Sequence, residues 1–311
     1  MISTSISCLD LFHKIDLGRK PKVKILFTTM VNAATSKPVL LPDGADVYIP
    51  DSLFFDFEND FVNKATPLSN MMPTPSAFQL SAQKLGLNLD DEIVVYDDFG
   101  NFCASRAWFM LLCMGFTNVK TLDGGLPEWI KCGYSTHKSL LSVSEQSNVQ
   151  VKLSANYAFI DANYVCTALS LSIAPLLIAP TRAITTTTSK AEPSTTSSVQ
   201  LIDARSASRY MGSEREPRDD MRSGHIPKST NIHYASLQHK GKFKSSDELA
   251  VIFEDKNINL SEEIITSCGS GVTACIVAQA AYSLGALCIK VYDASWSEWG
   301  ASQTLPIEVG E

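Results

Sequence analysis

The sequence predicts an α/β protein made of two tandem copies of one domain, each a parallel sheet flanked by helices. Three observations lead there. Short apolar strands alternate with apolar helical runs, two stretches of the chain repeat one pattern, and 311 residues suffice for two cores of ordinary size.

The elements follow in order. Glu92-Ile-Val-Val-Tyr-Asp97 corresponds to Glu263-Ile-Ile-Thr-Ser-Cys268. Each strand leads into an apolar helical run that ends at a glycine, Ala104 to Gly115 and Ala274 to Gly285, where glycine suits the left-handed C-terminal cap. A short strand comes next, Val119 to Leu122 and Ile289 to Tyr292. Asp123-Gly-Gly-Leu-Pro-Glu-Trp129 then matches Asp293-Ala-Ser-Trp-Ser-Glu-Trp299. Upstream, Tyr48-Ile-Pro50 precedes Ser52 to Phe55 as Gly224-His225-Ile-Pro227 precedes Ser229 to Ile232. Uniformly apolar strands imply a parallel sheet covered on both faces, with ligands at the carboxyl ends of its strands. The expected division is 1–140 for the first domain, 141–198 for a linker and low-complexity insertion, and 199–311 for the second. A helix is expected over Asp161 to Leu171, and Ile184 to Ser198, rich in Thr and Ser, is expected to be disordered.

Composition narrows the function classes. A formal charge of −7 argues against a nucleic-acid partner. No uncharged apolar run reaches the ~18 residues of a membrane span. The first twelve residues resemble neither a transit peptide nor a secretory signal, so cytoplasm is expected, with mitochondrial import the weaker alternative. The eight cysteines show no C-x-x-C pairing and no histidine at ligand spacing, so neither a disulfide framework nor a metal site is expected, nor any cofactor.

One cysteine stands apart. In Ile264-Ile-Thr-Ser-Cys268-Gly-Ser-Gly-Val-Thr-Ala274, a strand runs into a Gly-bracketed thiol and a small-residue helix begins near Thr273. Gly269 and Gly271 are expected to let the backbone curl so that N–H groups converge, and the helix adds the positive end of its dipole; both favour thiolate, the nucleophilic form. The matching position of the first copy is Asp97, which has no thiol chemistry, so one active site is expected, in the second half.

With these motifs in hand, the chain resembles the two-domain sulfurtransferases of the rhodanese superfamily, most closely the 3-mercaptopyruvate sulfurtransferases. The carrying residues are Cys268 to Ala274, Asp203-Ala-Arg205, Glu216-Pro-Arg218, Gly224-His-Ile-Pro227 and Trp296-Ser-Glu-Trp299. In the first half, Tyr96-Asp97, Ala104-Ser-Arg-Ala-Trp108 and Asp123-Gly-Gly-Leu126 resemble the inactive domain. The resemblance implies two rhodanese-like domains, the second catalytic. It implies Cys268 as nucleophile, Ser270 as proton relay, and Gly269, Gly271, Val272 and Thr273 as the substrate-holding loop. Arg209 and Arg218 become the carboxylate clamp, since a guanidinium makes two parallel bonds where lysine offers a point charge.

Sulfur would pass from 3-mercaptopyruvate through a Cys268 persulfide to a thiol such as thioredoxin, or to cyanide. Thiosulfate-using relatives place basic residues directly after the nucleophile, whereas Gly269 and Ser270 are neutral; thiosulfate:cyanide sulfurtransfer is the alternative enzyme, and a non-catalytic rhodanese-like scaffold the alternative outside catalysis. A phosphatase relative would need an arginine where this chain has Ala274. The first domain departs from the family pattern at Asn63-Lys-Ala-Thr-Pro67, where an acidic relay residue is usual and Asp60 is the nearest substitute, at Phe27-Thr-Thr29, and at Tyr48. The remaining landmarks are expected to be structural. Arg205 pairs with a nearby carboxylate, Arg215 and Arg222 stay on the surface, His225 fixes a turn, and Trp296 and Trp299 pack the last turn against the sheet.

Overall fold

The computed structural model describes residues 2–16, 23–32, 37–38, 47–143, 145–171 and 199–310. The first half contains β1 (Ser5–Ile6), α1 (Cys8–Asp16), β2 (Lys24–Thr28), the small antiparallel pair β3 (Val31–Asn32) and β4 (Lys37–Pro38), β5 (Ser52–Phe54), α2 (Pro75–Lys84), β6 (Ile93–Asp97), α3 (Ala104–Cys113), β7 (Val119–Leu122) and α4 (Gly125–Lys131). The second contains β8 (Tyr157–Ile160), α5 (Ala162–Ala168), β9 (Val199–Asp203), α6 (Ala207–Tyr210), β10 (Ser229–Asn231), the hairpin β11 (Gln238–His239) and β12 (Lys242–Phe243), α7 (Ser246–Asp255), β13 (Glu263–Ser267), α8 (Ala274–Ser283), β14 (Ile289–Tyr292) and α9 (Trp296–Trp299).

The two main sheets are one topology drawn twice. Their strand orders are β1-β7-β6-β2-β5 and, read from the same edge, β8-β14-β13-β9-β10, every pair parallel. Even the turns agree: Tyr48 bridges His137 in the first half and His225 bridges Glu308 in the second. Parallel strands need crossovers, and the helices that supply them cover both faces, which is why β6 is buried at all five positions and β13 at its last four.

Two helices carry the contact between the halves. All ten residues of α3 are buried, and eight of the ten in α8. A helix apolar all round belongs in an interior, and here each is covered by its own sheet and by the other helix. Ala274, Ala278 and Ala281 keep α8 slender enough for close approach, while Trp108 meets Tyr282 edge-on at 5.3 Å. Gln279 fastens the seam, donating to Thr4 O and Thr121 Oγ1 of the first half at 3.0 and 2.9 Å.

Between the halves the structure departs from expectation. Within 141–198, β8 is hydrogen-bonded to β14 and Asp161 caps α5 by accepting from Tyr164 N, so this stretch contributes to the second sheet instead of serving as linker alone. The expected helix is present but ends at Ala168, where the cap residue Leu169 closes it. The low-complexity stretch 184–198 lies outside the described residues. Among the described residues no helix is long and apolar enough to cross a membrane, no group of side chains could hold a metal ion, and all eight cysteines are free.

Candidate active site

Strand register assembles the site. Ser267 pairs with Asp203, so Cys268 follows β13 next to Ala204, and β10 brings His233 and Tyr234 alongside, with Tyr234 N donating to Ala204 O. Burial raises the Tyr234 pKa, with the neighbouring Cys268 adding to it; burial lowers the His233 pKa, with Arg209 adding to that.

Cys268 is 2% exposed, and its neighbours Gly269, Ser270 and Thr273 are half-buried, so solvent meets the loop at those residues. The peptide around Cys268 is held from the last turn of the domain. Its N–H donates to Ser295 Oγ at 3.1 Å and its carbonyl accepts from Trp296 N at 3.0 Å; Gly269 O accepts from Ser297 N and from Ser297 Oγ at 2.6 Å. Helix α8 begins at Ala274 as expected, and its first turn is closed by Cys275 N donating to Val272 O and Ile276 N to Thr273 O, both at 3.1 Å.

The two glycines of the loop act differently. Gly271 has φ 72°, and a β-carbon there would sit 2.2 Å from Asp293 O and 2.9 Å from Arg106 Nη1, so only glycine fits. Gly269 is not left-handed. A β-carbon there would lie 3.4 Å from Arg209 Nη2, an ordinary van der Waals distance. Ser270 has no part in capping α8, whose cap residue is Thr273 and makes no side-chain cap bond. Val272 is 3% exposed, its side chain committed to the core, so the loop can use only its backbone N–H.

Both arginines of the expected clamp lie at this loop. Arg209 stands on α6 beside Gly269 and is itself gripped by buried Glu216, Nη2 to Oε2 at 2.5 Å and Nε to Oε1 at 3.3 Å. Arg218 donates from Nη1 to Ser297 Oγ at 2.7 Å, one link from Gly269. Arg205 is structural as expected: it pairs with Asp203 at 2.6 Å and Glu216 at 2.8 Å, and lies 4.2 Å over the Trp296 ring. Burial alone would lower its pKa; the two carboxylates raise it. Arg215 pairs with Asp219 on the surface, but Arg222 does not stay free there. It is half-buried and donates to Gly300 O, Trp299 O and Leu305 O, tying down the turn after α9. His225 stacks on Tyr210 at 3.8 Å and bonds its carbonyl through Nδ1, and Trp296 and Trp299 are fully buried, all as expected.

The same loop in the first half holds its own plug. The Asp97 carboxylate, fully buried, accepts from the N–H groups of Phe99, Asn101, Cys103 and Ala104 at 2.7–3.1 Å. Four convergent N–H groups make an anion cradle, and here the chain's own carboxylate occupies it. Asn63 turns its side-chain oxygen to Ala65 N, and Asp60 N donates to Asp56 O. The 63–72 segment reaches the second half through Met72, whose N–H donates to Asp293 Oδ2 at 2.6 Å, while Asn70 O accepts from Arg106 of its own half.

Arg106 was missed as a site residue, although its motif was noticed. From the first half it donates to Gly271 O at 2.8 Å and to Asp293 Oδ1 at 2.8 Å, fully buried. Ser295, Ser297 and Asp293 were likewise noticed only as part of the repeat.

A model of the rhodanese-like domain matches residues 46–132 and 186–302. The chain belongs to the rhodanese-like family. It is 32% identical over 288 residues to the 3-mercaptopyruvate sulfurtransferase of Escherichia coli strain K12, covering 93% of this chain and 92% of that one. It is 36% identical over 262 residues to the mitochondrial thiosulfate/3-mercaptopyruvate sulfurtransferase 1 of Arabidopsis thaliana, covering 84% and 67%. The crystal structure of SseA from Escherichia coli, described as having the rhodanese fold of 3-mercaptopyruvate sulfotransferases, superposes with a TM-score of 0.74 at 28% identity, covering 96% of this chain and all of that one.

Proposed function

We propose that this rhodanese-like protein is a sulfurtransferase that takes sulfur from 3-mercaptopyruvate onto Cys268 and passes it to a small or protein thiol such as thioredoxin, or to cyanide. One observation carries the reading: a cysteine in a loop of neutral residues lies beside an arginine, Arg209, whose Nη2 approaches that loop closely at Gly269. This suits a donor whose charge is a carboxylate remote from the transferred sulfur. A donor charged at the sulfur itself, as thiosulfate is, lacks basic partners at 269 and 270.

In the reaction, Arg209 and Arg218 hold the carboxylate. The Cys268 thiolate attacks the donor sulfur, an S–S bond forms, and the C–S bond breaks with its electron pair leaving on the enolate of pyruvate, which takes a proton at carbon. N–H groups of residues 269–273 and the N-terminus of α8 stabilise charge on the reacting sulfur. Half-buried Ser270 relays the proton. An acceptor thiolate then attacks the outer sulfur of the persulfide and regenerates the Cys268 thiolate.

The test compares turnover with 3-mercaptopyruvate and with thiosulfate. The expected outcome is a kcat/KM higher for 3-mercaptopyruvate, falling by about 10–100-fold in Arg209→Ala and Arg218→Ala and lost in Cys268→Ala. Comparable use of thiosulfate would support the alternative donor. Turnover that survives Cys268→Ala would refute persulfide transfer.

A further inference from the structure

We propose that Glu216 is the positioning residue that aims Arg209 at the donor carboxylate, and that it does so in opposition to the repulsion of its own charge. The inference rests on reading Arg209 as the carboxylate clamp.

The Glu216 side chain is fully buried, in the connection between α6 and β10. Oε1 accepts from Arg205 Nη1 at 2.8 Å and Arg209 Nε at 3.3 Å, and Oε2 accepts from Arg209 Nη2 at 2.5 Å. Arg205 is a fixed post. It is 1% exposed in its side chain, forked onto both oxygens of Asp203, bonded to Gly224 O at 2.8 Å, and stacked on Trp296. Glu216 therefore joins an immobile arginine to one that is 23% exposed and stands at the mouth of the cysteine loop.

The geometry of that junction matters. Glu216 takes the Nε–Nη2 edge of Arg209, the side-on fork. Nη1 makes no bond to any described residue, so the end-on edge, Nη1 with the second hydrogen of Nη2, is left for another carboxylate. Nη2 is also the atom nearest Gly269. Held in this way, a long and flexible side chain gives up its rotamer freedom during folding instead of during binding.

Two effects of opposite sign can be separated. Asp203 and Glu216 cancel Arg205 and Arg209, so neutralising Glu216 leaves the cluster with one net positive charge. Electrostatics alone then predicts tighter binding of a carboxylate. Positioning predicts weaker binding, because the glutamine amide of Glu216→Gln offers hydrogen where Arg209 also offers hydrogen, and the fork opens.

The experiment titrates pyruvate, a carboxylate with no sulfur to donate, into the full-length protein and its variants by calorimetry. Alkylation of Cys268 by uncharged iodoacetamide serves as a second readout of loop integrity. Glu216→Gln is expected to weaken pyruvate binding by about tenfold, as Arg209→Ala does, while the alkylation rate stays within about twofold of wild type. Glu216→Asp, one methylene shorter and able to reach one arginine at a time, is expected to fall between, and it carries the test if the glutamine variant does not fold. Pyruvate bound by Glu216→Gln as tightly as by wild type, or more tightly, overturns the proposal, as does weakening in Glu216→Gln without weakening in Arg209→Ala. Wild-type protein that does not bind pyruvate at all overturns the clamp reading itself, and this proposal with it.

Discussion

Ser295 shows how a single residue can be strained for a purpose. Its backbone lies at φ 52°, ψ −144°, a region close to one populated almost only by glycine. In the first half the matching residue is Gly125 at φ 55°, where a β-carbon would sit 2.6 Å from Asp97 O. Serine is tolerated in the second half because its Oγ accepts the buried Cys268 N–H and donates to Tyr292 O at 2.7 Å. Ser295→Ala keeps the strain and orphans that N–H; Ser295→Gly orphans it but relieves the strain. The alanine variant is therefore expected to be less stable than the glycine variant by about 1 kcal/mol, the reverse of the order at an ordinary helical site, as read from urea unfolding. Both should lose sulfur transfer relative to wild type. Equal stability of the two would show that the conformation at 295 is not strained.

At the scale of elements, the Asp97 loop and the Cys268 loop are the same strand–loop–helix unit put to two uses. In the first, four N–H groups close on an internal carboxylate; in the second, Cys268 takes the carboxylate's place, and Cys275 N, as far beyond Cys268 as Ala104 N is beyond Asp97, donates to Val272 O instead. Asp97→Asn keeps the shape but removes the charge and turns one acceptor into a donor aimed at N–H groups. Destabilisation of about 2–3 kcal/mol is expected in chemical denaturation, with Cys268 chemistry retained in the folded fraction. Loss of stability below about 0.5 kcal/mol would mean that the cradle does not depend on the anion. The repeat, the strands and the cysteine loop were legible because each is written in a contiguous stretch: apolar periodicity for β6 and β13, and small residues around a thiol for the loop. What escaped was written across distance. The β8 strand is only four residues long and pairs with β14, more than a hundred residues away, so its local pattern reads as connection. Ser295 is 27 residues beyond the cysteine it holds, and Glu216 reads as a charge beside a proline until the fold brings two arginines to it.

For the whole molecule, the question is why a half with an aspartate in place of the loop cysteine is kept, and Arg106 gives a physical answer. This fully buried guanidinium on α3 binds Gly271 O in the Cys268 loop, Asp293 at the end of β14 and Asn70 O in its own half, while Met72 N reaches the other oxygen of Asp293. The Cys268 loop is thus braced from the other domain. A buried pair of this kind contributes little over an apolar replacement, but breaking one side is costly because the remaining charge stays buried. Arg106→Met is accordingly expected to lose about 3–5 kcal/mol, and adding Asp293→Asn should recover part of that loss, a coupling that a double-mutant cycle in urea measures directly. The pH dependence has a definite sign. Burial already raises the Asp293 pKa although Arg106 opposes it, and removing Arg106 raises it further. A carboxyl whose folded pKa lies above its unfolded value binds more protons folded than unfolded, so its stabilising contribution is present below the unfolded pKa and is lost as pH rises through the folded one. Arg106→Met should therefore be closest to wild type in stability near pH 4–5 and fall behind as pH rises toward 8, with Asp293→Asn removing that slope. A deficit independent of pH would mean that Asp293 does not bear the lost charge, and that Arg106 braces the loop through Gly271 and Asn70 alone.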